Sequence, residues 1–316
     1  MPEPRRVRTS GGELAVLDVG EGPPVVLLHG FPQSSVMWAD LAGLLSGRFR
    51  VIAPDLLGAG DSEKPRDAPL GLVAQAGYLG ELLDALDVGQ VAAVGSSLGG
   101  GIAQRLALQG RADALVLLNP VVDGFWPAEV TRALQDAPDE QRVPGVVPAV
   151  IRSAFDLGMG HRTRLSEERL RRYVAPFEGA SGMAAFFRWV DSLDGNGLEG
   201  SAAELERLEI PVLILWGEDD PYHPVAAAEQ LNEWIPTSSL GLLPGCGHFV
   251  LEDAIDTIGP MIYEYLRARY LRAPHGHGAD PTGAVMIQLE RRPAWVDLAE
   301  YDDEDEDDDE EGEDEA

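Results

Sequence analysis

The chain has 316 residues, 24 of them Lys or Arg and 54 Asp or Glu, for a formal net charge of −30. Apolar residues make up 45%, too many for a disordered chain and enough for a large core in one or two domains. The acid excess speaks against unaided nucleic-acid binding, which needs cations to displace counterions, and against docking on anionic lipid.

The first residues, MPEPRRVRTSGGE, hold no apolar stretch of signal-peptide type, and no window reaches the ~18 apolar residues that span a bilayer. A soluble cytoplasmic protein is the expectation. The single cysteine, Cys246, allows no disulfide within the chain. No internal repeat is evident.

Short apolar runs then alternate with longer helical patterns. Leu14–Val19 reads as a strand ending in the turn Gly20-Glu21-Gly22-Pro23. Val25–Leu28 and Val51–Ala53 are apolar runs stopped by His29-Gly30 and by Pro54. Val91–Val94, Leu115–Leu118 and Val212–Trp216 follow, and Ser239–Leu243 is a weaker last strand. Continuous runs, rather than alternating ones, predict strands buried on both faces of a parallel sheet. Helical spacing appears in Ser35–Leu45, Leu70–Leu86, Leu98–Leu108, Pro224–Ile235 and Val250–Tyr270; a proline is tolerated in a first helical turn. Strand and helix in alternation predict an α/β class, with a doubly wound, mostly parallel sheet.

Val121–Leu208 breaks the alternation. It lacks a buried strand and carries helical stretches such as Leu165–Tyr173 and Met183–Leu193. It is too long for a loop, so a small helical subdomain over one end of the sheet is expected. The domains are therefore read as 1–120 and 209–272 for the core, 121–208 for the helical insertion and 273–316 for an extension. Within the extension, Ala284–Leu298 keeps some apolar residues. From Asp302 to Ala316 stand 13 acids, one Gly and one Ala. Without those acids, residues 1–301 still carry −17. Such a run repels itself and buries nothing, so a disordered tail is expected, for solubility or for docking a basic protein partner.

The strand Val91–Val94 runs straight into Gly95-Ser96-Ser97-Leu98-Gly99, a G-x-S-x-G between strand and helix. A serine at the tip of so sharp a turn needs small residues two positions to either side. Gly95 and Gly99 supply them for Ser97, whereas Ser96 lacks that symmetry. The Leu98 amide opens the helix and can point at a developing oxyanion. An unassisted hydroxyl is a poor nucleophile, so a base is required. Of the six histidines, His248 stands in a glycine-rich loop after the last strand, where α/β sites lie. Asp220, after the strand Val212–Trp216, is the candidate to orient it, with Asp123 as competitor. Glu218 and Asp219 read as solvated turn residues. The order Ser, Asp, His suits an α/β-hydrolase arrangement. A second oxyanion donor should follow the strand Val25–Leu28, where Phe31 offers an amide and Pro32 has none to give. His29 reads as a structural histidine bonding loop carbonyls, and Cys246 as structural. His275-Gly276-His277 lacks a third ligand in reach, so no metal and no cofactor are expected.

These pieces, with Trp38, the run Asp55-Leu56-Leu57-Gly58-Ala59-Gly60-Asp61-Ser62 and Gly247-His248-Phe249, resemble the α/β-hydrolase superfamily over residues 14 to 270. The chain is most similar to the group of epoxide hydrolases, haloalkane and haloacetate dehalogenases and small esterases. The resemblance implies an α/β-hydrolase fold with a helical cap inserted after the sixth strand. It departs from that group at one decisive position. Epoxide hydrolases and dehalogenases use an aspartate at the elbow, and this chain has Ser97. An aspartate makes an alkyl ester that water cleaves at the carbonyl; a serine would make an ether that the same water cannot cleave.

The expected function is therefore hydrolysis of a carboxylic ester, thioester or lactone through an acyl-enzyme on Ser97. The triad is Ser97, Asp220 and His248, the oxyanion hole Phe31 and Leu98, the partner a small-molecule acyl substrate. A cofactor-free perhydrolase or haloperoxidase, a C–C bond hydrolase and an acyltransferase share this triad. A non-catalytic binding protein that uses the acidic tail is the reading from another class. Trp126, Phe186, Phe187 and Trp189 are candidates to line the substrate pocket, with Phe125 and Phe155; aromatic residues at helical spacing also suit the interior of the insertion. The Gly-rich stretch Asp194–Gly200 is a candidate linker for movement of the insertion.

Overall fold

Strands read from uninterrupted apolar runs need partners on both sides and cover on both faces, and a single sheet supplies both. The computed structural model describes residues 3–143, 145–193 and 197–270. All belong to one unit, Met1–Gly283; the second, Ala284–Ala316, lies outside them. The His275-Gly276-His277 pair, the apolar stretch 284–298 and the acidic tail also lie outside the described residues, as do 194–196 of the expected linker.

Eight strands form one sheet: β1 (Arg5–Arg8), β2 (Glu13–Val19), β3 (Pro24–Leu28), β4 (Arg50–Pro54), β5 (Val91–Ser96), β6 (Ala112–Leu118), β7 (Val212–Gly217) and β8 (Ser238–Leu243). Their order is β1-β2-β4-β3-β5-β6-β7-β8. The first two pairings are antiparallel and the rest parallel. β5 and β7 are buried at every position, which is why they read as unbroken apolar runs.

The helices are α1 (Ala39–Leu45), α2 (Leu72–Ala85), α3 (Leu98–Leu108), α4 (Glu129–Gln135), α5 (Val146–Gly158), α6 (Glu167–Val174), α7 (Gly179–Asp191), α8 (Ala202–Leu205), α9 (Val225–Trp234) and α10 (Val250–Tyr270). Among the described residues α4 to α8 fill the stretch between β6 and β7, and no strand interrupts them. No described helix is long and apolar enough to cross a membrane.

Five details depart from the sequence reading. β1 was not anticipated: it is an edge strand, RRVR, in which Val7 alone is buried, so it carries no apolar run. β5 continues through Gly95 and Ser96, which still pair with Leu117 and Leu118. The helix expected over Ser35–Leu45 begins as a tight 3₁₀ turn, Ser35–Trp38, before α1. Pro224 caps α9 in extended conformation (φ −69°, ψ 154°) instead of standing in its first turn. α10 is also two helices joined at a kink, where Ala254 has φ −142° and ψ 34°.

Candidate active site

The four loops that leave the C-terminal ends of β3, β5, β7 and β8 meet in one cavity. Phe31, Ser97, His223 and His248 come to it from those loops, and α4 and α5 close it with Thr131, Leu134, Val150 and Ala154. The elements between β6 and β7 thus supply its far wall.

Ser97 sits where β5 becomes α3, with φ 51° and ψ −120°. A side chain rarely adopts that conformation, and it is held by the neighbourhood. The Ser97 amide donates to the Leu118 carbonyl at 3.0 Å, and its own carbonyl accepts from Gly100, Gly101 and Val121. A methyl group on Gly99 would lie 2.1 Å from the Leu28 carbonyl oxygen, so the close crossing of α3 over β3 requires glycine there. Ser96 remains in the strand. The Ser97 residue is 4% exposed.

His248 is equally buried and lines the same cavity. Its Nδ1 donates to Asp220 Oδ2 at 2.8 Å, which leaves Nε2 as the ring nitrogen free to act toward the cavity. Its backbone amide donates to the Gly158 carbonyl at 2.7 Å. The loop before it is pinned by Asp253, whose carboxylate accepts the amides of Gly160, His161 and Gly247 at 2.8 to 2.9 Å.

Asp220 is the acid the geometry chooses. Asp123 accepts the Gly200 amide instead, and Glu218 and Asp219 are exposed. Both oxygens of Asp220 are engaged. Oδ1 accepts the amides of Tyr222 and His223, and Oδ2 accepts His248 and the Asn119 side-chain amide at 2.7 Å. Burial pushes this carboxyl up, but the charge and hydrogen bond of the His248 ring, with His223, outweigh it and carry it down to about 2. It is a carboxylate at any ordinary pH. Asp220, His223 and His248 set one donor atom each within 4.8 Å of the others. Both carboxylate oxygens of Asp220 are already taken by N–H donors.

Gly30 lies directly against the serine, where a methyl group on it would stand 2.7 Å from Ser97 Cβ and 3.3 Å from its Oγ, and Phe31 lines the same cavity. The Leu98 amide is the first of α3 and has no intrahelical acceptor. Among the described residues, neither it nor the Phe31 amide donates to a protein group. One unused N–H group thus adjoins the serine in sequence and the other belongs to a residue that lines its cavity. His29 is structural, as expected: Nδ1 donates to the Gly30 carbonyl and Nε2 accepts the Leu56 amide, both at 2.9 Å. Burial pushes this imidazole down. Burial also pushes the Cys246 thiol up to about 12, the state of an unreactive structural cysteine.

The candidate pocket residues divide. Trp126 lines the cavity. Phe186, Phe187 and Trp189 do not, and this corrects the expectation. They are 0%, 6% and 0% exposed, because α7 turns its apolar face inward behind the 29–32 loop. Phe31 packs on Phe186 at 5.1 Å and on Trp189 at 5.0 Å between ring centroids, while Arg142 covers Phe187. Phe155 stacks on Tyr173 and Phe249. Three functional positions escaped the sequence reading. Asn119 sits at the end of β6 with φ 40°, where asparagine is among the few side chains at ease, and its Oδ1 also accepts the Gly217 amide. Tyr222 and His223 follow Asp220 in the same turn, and that adjacency was the available signal.

Comparison with known proteins agrees with this fold. The alpha/beta hydrolase fold family matches residues 23–255. A 2-hydroxy-6-oxo-2,4-heptadienoate hydrolase of Pseudomonas putida is 34% identical over 263 residues, covering 78% of this chain and 90% of that protein. Haloalkane dehalogenase 2 of Mycobacterium tuberculosis is 32% identical over 276 residues, covering 83% and 94%. The crystal structure of an alpha/beta hydrolase fold protein from Burkholderia ambifaria superposes with a TM-score of 0.78 at 31% identity, covering 84% of this chain and 98% of that one. The chain belongs to the α/β-hydrolase family and is a hydrolase of that family.

Proposed function

We propose that the chain hydrolyses a carboxylic ester, thioester or lactone through an acyl-enzyme on Ser97. The observation that carries this reading is the arrangement of Ser97 and His248. The serine is fixed at a strained elbow on the wall of the cavity that His248 lines, and Asp220 holds the Nδ1 side of that ring.

In the proposed reaction His248 Nε2 takes the Ser97 proton as Oγ attacks the carbonyl carbon. The oxyanion forms between the amides of Phe31 and Leu98, each worth about 3 kcal/mol of transition-state stabilisation. Collapse expels the alcohol or thiol, which takes the proton from His248. Water, losing a proton to the same nitrogen, then attacks the acyl-enzyme and releases the acid. Asp220 fixes the tautomer and stabilises the imidazolium.

The relatives suggest two other reactions. A haloalkane dehalogenase displaces halide from carbon, and Ser97 would be trapped as an ether. A heptadienoate carries a carboxylate, and among the described residues no Arg or Lys lines the cavity, so ester chemistry is the better match to this wall. The test is labelling with a fluorophosphonate followed by peptide mapping, with p-nitrophenyl esters of increasing length assayed with and without peroxide. An adduct on Ser97 and turnover without peroxide are expected. No adduct, an adduct elsewhere, or turnover that requires peroxide overturns the reading.

A further inference from the structure

Two carbonyls of α5, one helical turn apart, accept hydrogen bonds from the loops that carry the acid and the base. The Gly158 carbonyl takes the His248 amide at 2.7 Å. The Ala154 carbonyl takes the Tyr222 hydroxyl at 2.6 Å. Tyr222 stands two positions after Asp220, and its own amide donates to Asp220 Oδ1 at 2.8 Å. Its ring meets His248 edge-on, at 5.2 Å between centroids. The same ring packs on Gly158, where a methyl group would fall 2.7 Å from it. One side chain thus touches the base and the helix whose Val150 and Ala154 line the cavity, and its backbone holds the acid. Burial and the Asp220 carboxylate push this phenol above its ordinary range, so the hydroxyl stays a donor.

We infer that Tyr222 is a positioning residue: its hydroxyl sets the distance between the α5 wall, which holds the apolar part of the substrate, and His248. The Gly158 bond anchors only the last turn of α5. Val150 and Ala154 lie nearer its start, and among the hydrogen bonds of the described residues Tyr222 alone ties that part to a catalytic loop. Phe155 also packs on Phe249, at 4.4 Å between centroids. Apolar contact is non-directional and tolerates sliding, whereas a hydrogen bond of 2.6 Å fixes a separation. A phenylalanine at this position would keep the ring contacts and lose only the tie. Apolar contacts with the wall are alike in the bound substrate and the transition state, so loosening the wall weakens binding and spares the chemical step.

This inference deepens the ester-hydrolase reading and rests on it, and the experiment separates the two. The full chain and its variants are assayed on p-nitrophenyl butyrate and titrated with hexanamide, an unreactive neutral analogue of an ester. Tyr222→Phe should raise KM and the hexanamide Kd about fivefold, the scale of one hydrogen bond, and lower kcat by about twofold at most. Tyr222→Leu, which also removes the ring beside His248, should lower kcat further. Arg152→Ala is the control: it cuts the exposed pairing of α5 with Glu167 of α6, and it should leave KM and Kd at the parent values. Parental KM and Kd in Tyr222→Phe, whatever its melting temperature, overturn the positioning role. An equal rise in Arg152→Ala does the same, and so does a parent that fails to bind hexanamide. Fluorophosphonate labelling reports on the catalytic reading separately. If the parent takes no label on Ser97, that reading falls, and the hexanamide Kd still decides for or against Tyr222.

Discussion

Asn119 donates its side-chain N–H to the oxygen of Asp220 that also receives His248, while its own carbonyl oxygen takes the Gly217 amide. The acid is thus fixed from β6 as well as from its own turn. Replacing Asn119 by Ala removes a hydrogen bond to a charged group, worth about 1.5–3 kcal/mol, in a reaction where that charge is used. A fall of tenfold or more in kcat is expected. Asn119→Gly should separate function from strain: at φ 40° glycine is relaxed, so it should melt above the Ala variant yet be no more active. Equal activity of Asn119→Gly and the parent would remove the positioning role.

Ser97 gives a prediction about stability as well as chemistry. Its φ of 51° with ψ −120° is a conformation that costs 1–3 kcal/mol for a side chain and little for glycine. Ser97→Gly and Ser97→Ala should both be inactive. The Gly variant should unfold at higher denaturant, by about 1 kcal/mol after its greater freedom in the unfolded chain is counted. Denaturation curves decide this, and a Gly variant no more stable than the Ala variant contradicts stored strain.

His223 should make stability depend on pH in a defined window. The folded chain protonates this ring only near 4, whereas an unfolded chain does so near 6.5. Between those values the unfolded state binds more protons, so stability falls as pH falls from 6.5 toward 4 and the loss then levels off. For this fully buried ring the loss is at most about 3 kcal/mol. Asp220, held down to about 2, adds a separate loss from its ordinary value near 3.8 downward. His223→Val should make the first window shallower, leaving the part due to buried His29, and leave the second. Urea unfolding at pH 7, 5.5 and 4.5 measures it, and parallel curves for the two proteins would exclude His223 as the source.

The helical stretch between β6 and β7 is tied to the body of the protein by a buried charge. Glu252, with a side chain 2% exposed, accepts Arg169 at 2.9 Å and the Tyr173 hydroxyl, and Arg169 also reaches Asp40 in α1 at 2.7 Å. Arg169→Ala leaves that carboxylate with the phenol as its remaining partner. A cost of about 2 kcal/mol is expected, below the 3–5 of a fully dry pair because Arg169 is partly solvated. Adding Glu252→Gln to it should restore part of the loss. Thermal melts of the single and double variants provide the check, and strict additivity of the two changes would deny the coupling.

How legible this was in the sequence depended on the physics of each part. The parallel strands announced themselves because burial on both faces forces unbroken apolar runs. β1 did not, since an edge strand with one inward side chain leaves no such trace. Ser97 and its glycines were legible because steric crowding dictates small neighbours at fixed spacing. Asn119 was not, because its role comes from a contact with Asp220, 101 positions away. Phe186 and Trp189 show the converse: helical spacing revealed that one face of α7 is apolar, but not that this face backs Phe31 instead of reaching the cavity.

The Asp253 carboxylate, set just before the kink in α10, fastens the glycine-rich loop of His248 to the end of α5 through three amides. Lifting that end of the helical segment would drag the imidazole away from Asp220, so this side of the molecule is a fixed jamb. The other wall of the cavity, from α4, carries no such anchor among the hydrogen bonds of the described residues, and there Val130 is 40% exposed.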